Sequence, residues 1–230
     1  MKKIGIIVAI ELDAIKTLYP DLTEIPGPAG FAVYTAAKEN CEIYVVRCGM
    51  GEIAAACGVQ YLITAFGVSM IVNFGVVGGL VPGLSTRSVC LVKNVVHYKY
   101  DCSEFMPLAV GQVDGHGSIY LPTDESLLAE AAALSDLPLV TCCSGDKFVG
   151  TETEKTYLHT AFGGDICDME SAGIVLCCEA NAVPCVLFKA ISDGLSDGAE
   201  GFYRELQKAS LLCFTIADRL IDRFAKKDTR

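Results

Sequence analysis

The chain has 230 residues, 52% of them hydrophobic, and a formal net charge of −10. This composition can fill a sizeable core and no hydrophilic linker divides the sequence, so we predict a single α/β domain over residues 1–230. Nucleic acid and anionic membranes are disfavoured as partners, because phosphate binding needs clustered Lys or Arg and this chain carries 28 Asp and Glu against 18 Lys and Arg.

Other features favour a soluble, cytoplasmic protein. No segment reaches membrane-spanning length, and the first apolar run, residues 4–10, ends at Glu11 without a signal-peptide cleavage site. The cysteines lie in apolar segments without Cys-x-x-Cys spacing, which predicts buried thiols in a reducing compartment. His97, His116 and His159 are isolated from one another and from any acidic cluster, so no metal site is predicted.

Hydrophobic patterning predicts alternating strands and helices. Runs of apolar and β-branched residues predict strands, in chain order, at 4–10, 31–36, 42–48, 69–74, 89–97, 140–144 and 184–191. Helices are predicted at 11–18, 52–66, 124–134, 152–160, after Glu170, and at 202–224, with Thr123 as the N-cap of the third. The stretch 98–118 lacks a pattern, which is typical of a functional or interfacial loop.

Two glycine-rich segments follow predicted strands. Gly49 and Gly51 flank Met50, but Gly-x-Gly alone is weak evidence for a phosphate cradle and no Lys or Arg follows it. Residues 75–80 combine glycines with valines, which predicts either a flat wall for a ligand or a tight packed turn. The spacing leaves both interpretations open.

The stretch 168–197 has the layout of a site. Glu170 and Asp193 stand at opposite ends of a helix-then-strand unit, which can fold both carboxylates back to one pocket. The strand 184–191 is almost continuously apolar, as in a sheet covered on both faces, and Asp193 follows it at the edge where α/β sheets bind ligands. Asp13 and Glu11 follow the first strand in the same way, although acidic residues in a first helical turn are also ordinary dipole partners.

Several of these motifs together resemble one family. They are residues 1–15, 49–51, 73–80, 101–105 and 144–150, and above all Asp168-Met169-Glu170 and Ala190-Ile191-Ser192-Asp193. The sequence resembles the nucleoside phosphorylase/hydrolase superfamily, and most closely the 5′-methylthioadenosine/S-adenosylhomocysteine nucleosidases.

The resemblance implies both a fold and an activity. The fold is a three-layer α/β/α arrangement on a mixed central sheet. The activity is hydrolysis of the N-ribosidic bond of a small-molecule purine nucleoside, releasing adenine in methionine salvage, without a metal or an organic cofactor. The resemblance also implies a homodimer, in which residues 101–107 of one subunit help to close the 5′ pocket of the other.

Roles at the substrate also follow from the resemblance. Asp193 would protonate or hydrogen-bond the purine N7, and the backbone of Met169 and the side chain of Glu170 would hold the ribose hydroxyls. Phe148 would stack on the base, and the backbone of Val149 would read its polar edge. The other residues expected at the substrate are Val76, Val77, Gly78 and Ser192 along the base and sugar, and Met50 and Phe202 at the 5′ end.

Water activation is expected from Asp13, Glu170 and Lys189, and here the sequence departs from the family. Asp13 stands where a glutamate is usual, so either the backbone shifts to compensate, or Glu11 takes over, or the reaction differs. Lys189 replaces a usual arginine, which exchanges a planar two-pronged donor for a point charge. Val76 stands where a serine hydroxyl is common.

These departures leave alternatives open. Phosphorylases of the superfamily carry an Arg-x-Gly-Ser element for phosphate, and the matching positions here are Asn73, Gly75 and Val76, which favours hydrolysis. One alternative is a nucleosidase or phosphorylase for another purine nucleoside. The other is a catalytically weakened protein that binds nucleosides.

Overall fold

A computed structural model describes residues 1–226 as a mixed sheet flanked by helices, and residues 227–230 lie outside the described residues. The strands are β1 (Lys2–Val8), β2 (Thr23–Ile25), β3 (Ala32–Lys38), β4 (Cys41–Arg47), β5 (Met70–Gly79), β6 (Val89–His97), β7 (Leu121–Pro122), β8 (Leu139–Ser144), β9 (Ile166–Asp168) and β10 (Cys185–Asp193). The helices are α1 (Leu12–Leu18), α2 (Glu52–Tyr61), α3 (Glu125–Ala132), α4 (Glu152–Phe162), α5 (Ser171–Ala180) and α6 (Ala199–Lys226), and a π-helical turn, Leu62–Phe66, continues α2.

The sheet combines parallel and antiparallel pairings and partly closes on itself. Strand β1 pairs in parallel with β4 and β5, and β5 pairs in parallel with β10. Strand β10 then runs antiparallel to β6, β6 and β8 are parallel, as are β8 and β9, and β9 returns antiparallel to β5. These last pairings form a closed ring, from which β1, β4, β3 and β2 extend as an open wing.

Helices cover both faces of the sheet because successive side chains along its strands point to opposite sides. On β10, Val186 and Phe188 join the apolar cluster that includes α1, α3 and α6. Leu187 and Ile191 join the cluster that includes α2 and α5. Burying one such side chain contributes about 1.5–3 kcal/mol. The expected three-layer arrangement is therefore the one observed.

Strand β5 runs through the glycine-rich segment, so the tight-turn interpretation of residues 75–80 is wrong. A Cβ on Gly75 would lie 2.9 Å from Glu11 Oε1, and one on Gly78 would lie 3.0 Å from Cys167 Sγ. Glycine is needed at both positions because side chains from other elements approach the strand closely.

Thr123 is not the N-cap of α3. Asp124 takes that position, and its carboxylate accepts a hydrogen bond from the Leu127 N–H at 2.8 Å. The Thr123 hydroxyl instead donates to the Val92 carbonyl at 2.7 Å. The unpatterned stretch 98–118 contains no helix or strand, as predicted.

The cysteines are all free thiols, and Cys57 is exposed. Within residues 1–226, no helix is long and apolar enough to cross a membrane. Among the same residues, no group of His, Cys, Asp and Glu side chains is arranged to hold a metal ion.

Candidate active site

A cavity of about 570 Å³ lies where several strands end, which is the usual place for a ligand in an α/β sheet. It receives residues from the ends of β1, β9 and β10, from the second half of β5, from the loops after β4 and β8, and from α6. The lining residues are Ala9, Ile10, Glu11, Met50, Val76, Val77, Gly78, Lys147, Phe148, Val149, Cys167, Asp168, Met169, Glu170, Asp193 and Phe202.

Asp193 borders the cavity at the end of β10 and is 1% exposed. The Ser192 hydroxyl lies 2.8 Å from Asp193 Oδ1, and Lys155 Nζ lies 2.6 Å from Asp193 Oδ2. Both carboxylate oxygens therefore have a donor from the protein, as a buried carboxylate requires. Ser192 itself does not line the cavity, and its hydroxyl supports Asp193.

Glu170 lines the cavity at the start of α5. Its Oε1 accepts from the Gly51 N–H at 2.9 Å, and its Oε2 accepts from the Met169 N–H at 3.3 Å. Desolvation, followed by the negative charge of Asp168, raises the pKa of Glu170 to about 7. Around neutral pH this carboxyl group can therefore exist in either protonation state.

Asp168 and Lys189 form a buried ion pair beside Glu170. Lys189 Nζ lies 2.8 Å from Asp168 Oδ2, and both side chains are almost fully buried. Burial alone would raise the pKa of Asp168, but the charge of Lys189 and its hydrogen bond outweigh this and hold the pKa below its usual value. Burial would likewise lower the pKa of Lys189, and the charge of Asp168 raises it instead.

Lys189 does not line the cavity. Its ammonium is engaged with Asp168, so the part in water activation that the resemblance implies would be played through its charge. Its charge still reaches the site, since it lowers the pKa of Glu170 against the effects of desolvation and Asp168.

Glu11, not Asp13, is the carboxylate that the first strand delivers to the cavity. Glu11 is 7% exposed, and its carboxylate accepts from the Ile10 N–H at 2.9 Å and from the Val76 N–H at 3.2 Å. Asp13 is exposed and borders a separate groove between α1 and α6. The expectation that Asp13 faces the cavity is therefore wrong, because the residue before α1 folds its side chain back to the sheet while the first helical turn points away.

The remaining predicted residues form the apolar part of the lining. The rings of Phe148 and Phe202 meet edge to face, with centroids 5.8 Å apart. Phe148 is 45% exposed and Met50 65% exposed, so the cavity opens at these two side chains. Predicted residues that the structure brings to the cavity are Met50, Val76, Val77, Gly78, Phe148, Val149, Met169, Glu170, Asp193 and Phe202.

Sequence reasoning missed two supporting residues. Asp146 accepts from the Glu52 N–H at 2.8 Å and so caps the start of α2, next to the Gly51 N–H that serves Glu170. Lys155 is fully buried in α4. It has the helical spacing of the buried Leu158 and Phe162, and a lysine in such an apolar row was the available signal.

Comparisons with known proteins agree with this architecture. A family model described as the phosphorylase superfamily matches residues 3–222. The chain is 30% identical over 202 residues to the 5′-methylthioadenosine/S-adenosylhomocysteine nucleosidase of Haemophilus ducreyi, covering 83% of this chain and 84% of that protein. It is 30% identical over 219 residues to the aminodeoxyfutalosine nucleosidase of Helicobacter pylori strain J99, covering 91% of this chain and 94% of that protein.

Solved structures share the fold over almost the whole chain. The 5′-methylthioadenosine/S-adenosylhomocysteine nucleosidase of Helicobacter pylori with butyl-thio-DADMe-Immucillin-A matches with a TM-score of 0.91 and 27% identity, covering 97% of this chain and 99% of that chain. The predicted family resemblance and the predicted nucleoside phosphorylase-like fold are confirmed by these likenesses.

Proposed function

This chain belongs to the phosphorylase superfamily and is a nucleosidase, and we propose that its substrates are 5′-substituted adenosines such as 5′-methylthioadenosine and S-adenosylhomocysteine. The observation that carries the proposal is the convergence of four carboxyl groups on one cavity whose mouth is aromatic. Asp168 is held by Lys189, which leaves Glu11, Glu170 and Asp193 for the reaction. Hydrolysis of an N-ribosidic bond needs a proton donor for the base, stabilisation of a cationic sugar and a base for water. Three carboxylates can divide these tasks.

The departure of adenine is assigned to Asp193 and Phe148. Asp193 gives its proton to the purine N7 while the bond between the sugar and the base breaks and its electron pair goes to the purine. Phe148 stacks on the base, and the backbone of Val149 meets its polar edge. The half-exposed ring of Phe148 and the buried carboxyl group of Asp193 border the same cavity, which supports this division.

The sugar and the water are assigned to the two glutamates. Glu170 in its ionised form accepts from the ribose hydroxyls, and its charge stabilises the cationic transition state. Glu11 takes a proton from the water that attacks the sugar, in place of the Asp13 first expected. Glu11 is supported by its place in the cavity wall and by N–H donors that fix its carboxylate.

Water is favoured over phosphate as the nucleophile. The Asn73 amide is occupied within the sheet, because it donates to the Ile7 carbonyl at 2.9 Å. The Val76 N–H is taken by Glu11. Among the described lining residues the cation is Lys147, which pairs with Glu154. A phosphate dianion would therefore meet carboxylates rather than the clustered positive charge that it needs.

Aminodeoxyfutalosine is the second candidate substrate, because relatives of equal identity carry that name. The candidates differ at the 5′ group, which we place near Met50 and Phe202. Met50 is 65% exposed, so this end of the cavity accepts substituents of different length.

The test is release of the base from methylthioadenosine, S-adenosylhomocysteine, aminodeoxyfutalosine, 5′-deoxyadenosine and inosine, each with and without phosphate. We expect phosphate-independent release of adenine from the adenosine derivatives and none from inosine. Asp193→Asn should lower kcat by about 10²–10⁴-fold, the usual contribution of a general acid. Ribose 1-phosphate as the product would identify a phosphorylase, and binding of adenine without any release would identify a binding protein.

We also propose that the chain acts as a homodimer in the cytoplasm, in methionine salvage. Met50 at the cavity and Ile53 in the first turn of α2 are apolar side chains more than half exposed, which supports a covered surface beside the mouth of the cavity. Sedimentation velocity of the wild type and of Ile53→Asp tests this, with a dimer expected for the first and a monomer for the second. A wild-type monomer at assay concentration would contradict it.

A further inference from the structure

Lys155 is a buried lysine to which the proposed reaction assigns no step. It extends from α4 to the end of β10 and is 0% exposed. Its Nζ lies 2.6 Å from Asp193 Oδ2, 2.5 Å from the Gly194 carbonyl and 3.2 Å from the Asp197 carbonyl. An ammonium group has three N–H donors, and these three acceptors satisfy them all.

Burying a lysine is costly unless its charge is compensated. An apolar residue at position 155 would fit the row of Leu158 and Phe162 on α4 without that cost. The acidic side chain in contact with Lys155 is Asp193, the proposed proton donor, which becomes negatively charged when it gives up its proton. The contact therefore suggests a role in the reaction in addition to packing.

Lys155 also connects Asp193 with the segment before α6. The Gly194 N–H donates to Asp197 Oδ2 at 2.9 Å, and the Asp197 N–H donates to the Gly194 carbonyl at 3.2 Å, which closes a turn. Phe202, in the first turns of α6, lines the cavity shortly after this turn. One ammonium group thus holds both the carboxylate of Asp193 and the turn that leads to an aromatic wall of the site.

We propose that Lys155 is a positioning residue that orients Asp193 and stabilises the carboxylate formed when Asp193 passes its proton to the leaving purine. This inference rests on the proposed function. In the step, the O–H bond of Asp193 breaks, the N7–H bond forms, and the electron pair of the sugar–base bond goes to the purine. Lys155 keeps its three protons throughout. Because negative charge on Asp193 grows as the proton leaves, the ammonium favours the transition state over the bound substrate.

The other titratable groups near this pair do not supply the same charge. Cys167 on β9 lies close to the pair of Asp193 and Lys155. Its Sγ and Asp193 Oδ2 approach Gly78 from the same side, at 3.0 Å and 3.2 Å from the position that a Cβ on Gly78 would take. Burial raises the pKa of the Cys167 thiol, which is neutral at assay pH. The Asp197 carboxylate accepts from the Gly194 N–H, and Asp168 is paired with Lys189.

The test is Lys155→Met, measured as adenine release over pH 5–9. We expect kcat to fall roughly tenfold to a hundredfold, the scale of a misplaced catalytic group, while KM changes by less than about threefold because Lys155 does not line the cavity. We also expect the basic limb of kcat/KM to move to higher pH, because the substitution removes a positive charge 2.6 Å from the proposed proton donor. A purely structural role would not move this limb.

Companion variants separate the proposal from general damage. Lys155→Gln keeps N–H donors without the charge and should show the same shift of the limb. Lys155→Arg keeps the positive charge, so the basic limb of its kcat/KM should match that of the wild type. Its kcat should recover only in part, because the planar guanidinium group differs in shape from an ammonium. In the Asp193→Asn background, Lys155→Met should lower kcat no further, because the two residues act as one unit. Lys208→Met, at an exposed position of α6, should leave kcat within about twofold, as surface substitutions usually do.

The outcomes distinguish this inference from the proposed function. If the wild type releases no adenine, the proposed function is wrong and this inference is lost with it. If the wild type is active and a folded Lys155→Met or Lys155→Gln variant keeps both kcat and the basic limb, Lys155 has no part in the reaction. Failure of both uncharged variants to fold, or an undiminished effect of Lys155→Met in the Asp193→Asn background, would reduce Lys155 to a structural residue.

Discussion

The acidic side chains around the cavity are stabilised in two different ways. Asp168 and Asp193 each contact a buried lysine, with Lys189 Nζ at 2.8 Å from the first and Lys155 Nζ at 2.6 Å from the second. In these two pairs a full positive charge compensates the carboxylate. A cation at this distance favours the charged form of a carboxyl group and so favours loss of its proton.

Glu11 and Glu170 accept main-chain N–H groups instead. Main-chain dipoles fix the position of a carboxylate but compensate its charge less completely, and the pKa of Glu170 rises to about 7 through desolvation and the charge of Asp168. Asp168, two residues earlier, is held below its usual pKa by Lys189 against the effect of burial. The comparison teaches that a lysine contact keeps Asp168 in its charged form, whereas desolvation without such a contact leaves Glu170 able to adopt either protonation state near neutral pH.

Glu11→Gln breaks the comparison most directly, because it removes the proposed proton acceptor and keeps the side-chain length. We expect kcat to fall by about 10²–10⁴-fold, as for loss of a general base. Asp13→Asn is the matched control and should retain activity within about twofold, as expected for an exposed position. Steady-state adenine release measures both. The reverse pattern would return the role of base to Asp13.

This pair of residues also shows where sequence reasoning stops. Alternation of apolar runs predicted most strands and helices and placed the carboxylates at strand ends. It did not decide between Glu11 and Asp13, because that choice depends on the backbone at the start of α1, where Glu11 has φ −84° and ψ 21° and turns its carboxylate to the Ile10 N–H. The other carboxylate oxygen accepts from the Val76 N–H of β5, a contact between elements 65 residues apart in sequence.

Lys155 and β5 illustrate the same limit. The partner of Lys155 is 38 residues away in sequence, so the ion pair with Asp193 exists through the approach of α4 to the end of β10. The spacing of the β5 glycines left a ligand wall and a tight turn both open, and the structure shows a continuous strand that Glu11 and Cys167 approach closely. Contacts between distant elements are not encoded in local spacing.

Lys189→Met tests the contact between Lys189 and Asp168 through the free energy of unfolding. It leaves Asp168 buried without its positive partner, which typically costs about 3–5 kcal/mol in the free energy of unfolding. Urea unfolding at pH 7.5 measures the loss. The double variant Lys189→Met/Asp168→Asn should recover most of it, since the buried charge is then gone. A double variant as unstable as the single one would show that lost packing, not charge, is responsible.

The pH dependence of kcat/KM tests the carboxyl groups that accept main-chain N–H groups, through Glu170. Its pKa of about 7 means that the carboxyl group is neutral below this pH and ionised above it. Because the ionised form is the one proposed to hold the ribose, we expect kcat/KM to fall about tenfold for each pH unit below about 7, as for one required ionisation. Glu170→Gln should lower the plateau and remove this limb. If the limb persists in Glu170→Gln, it belongs to another group, with Glu11 the next to test.

Glu52, at the start of α2, extends the comparison to a carboxyl group that faces a histidine in place of a lysine. It lies 3.1 Å from His97 Nε2, and desolvation lowers the pKa of His97, so no full positive charge faces it. Desolvation raises the pKa of Glu52 from 4.5 to about 7. Between these values the folded protein keeps a proton that the unfolded chain has lost. Ionisation of Glu52 therefore opposes folding as the pH rises through this window, and its cost is complete above pH 7.

Glu52→Gln removes that cost while keeping a polar partner for His97. We expect the variant to be more stable than the wild type by about 1–2 kcal/mol at pH 8, a difference that shrinks to nothing near pH 4.5. Urea unfolding at the two pH values measures it, and Glu39→Gln, at an exposed turn, should show no such dependence. A constant difference between the two pH values would mean that Glu52 is stabilised as a charged group, and lysine contacts would then no longer separate the two kinds of carboxyl group.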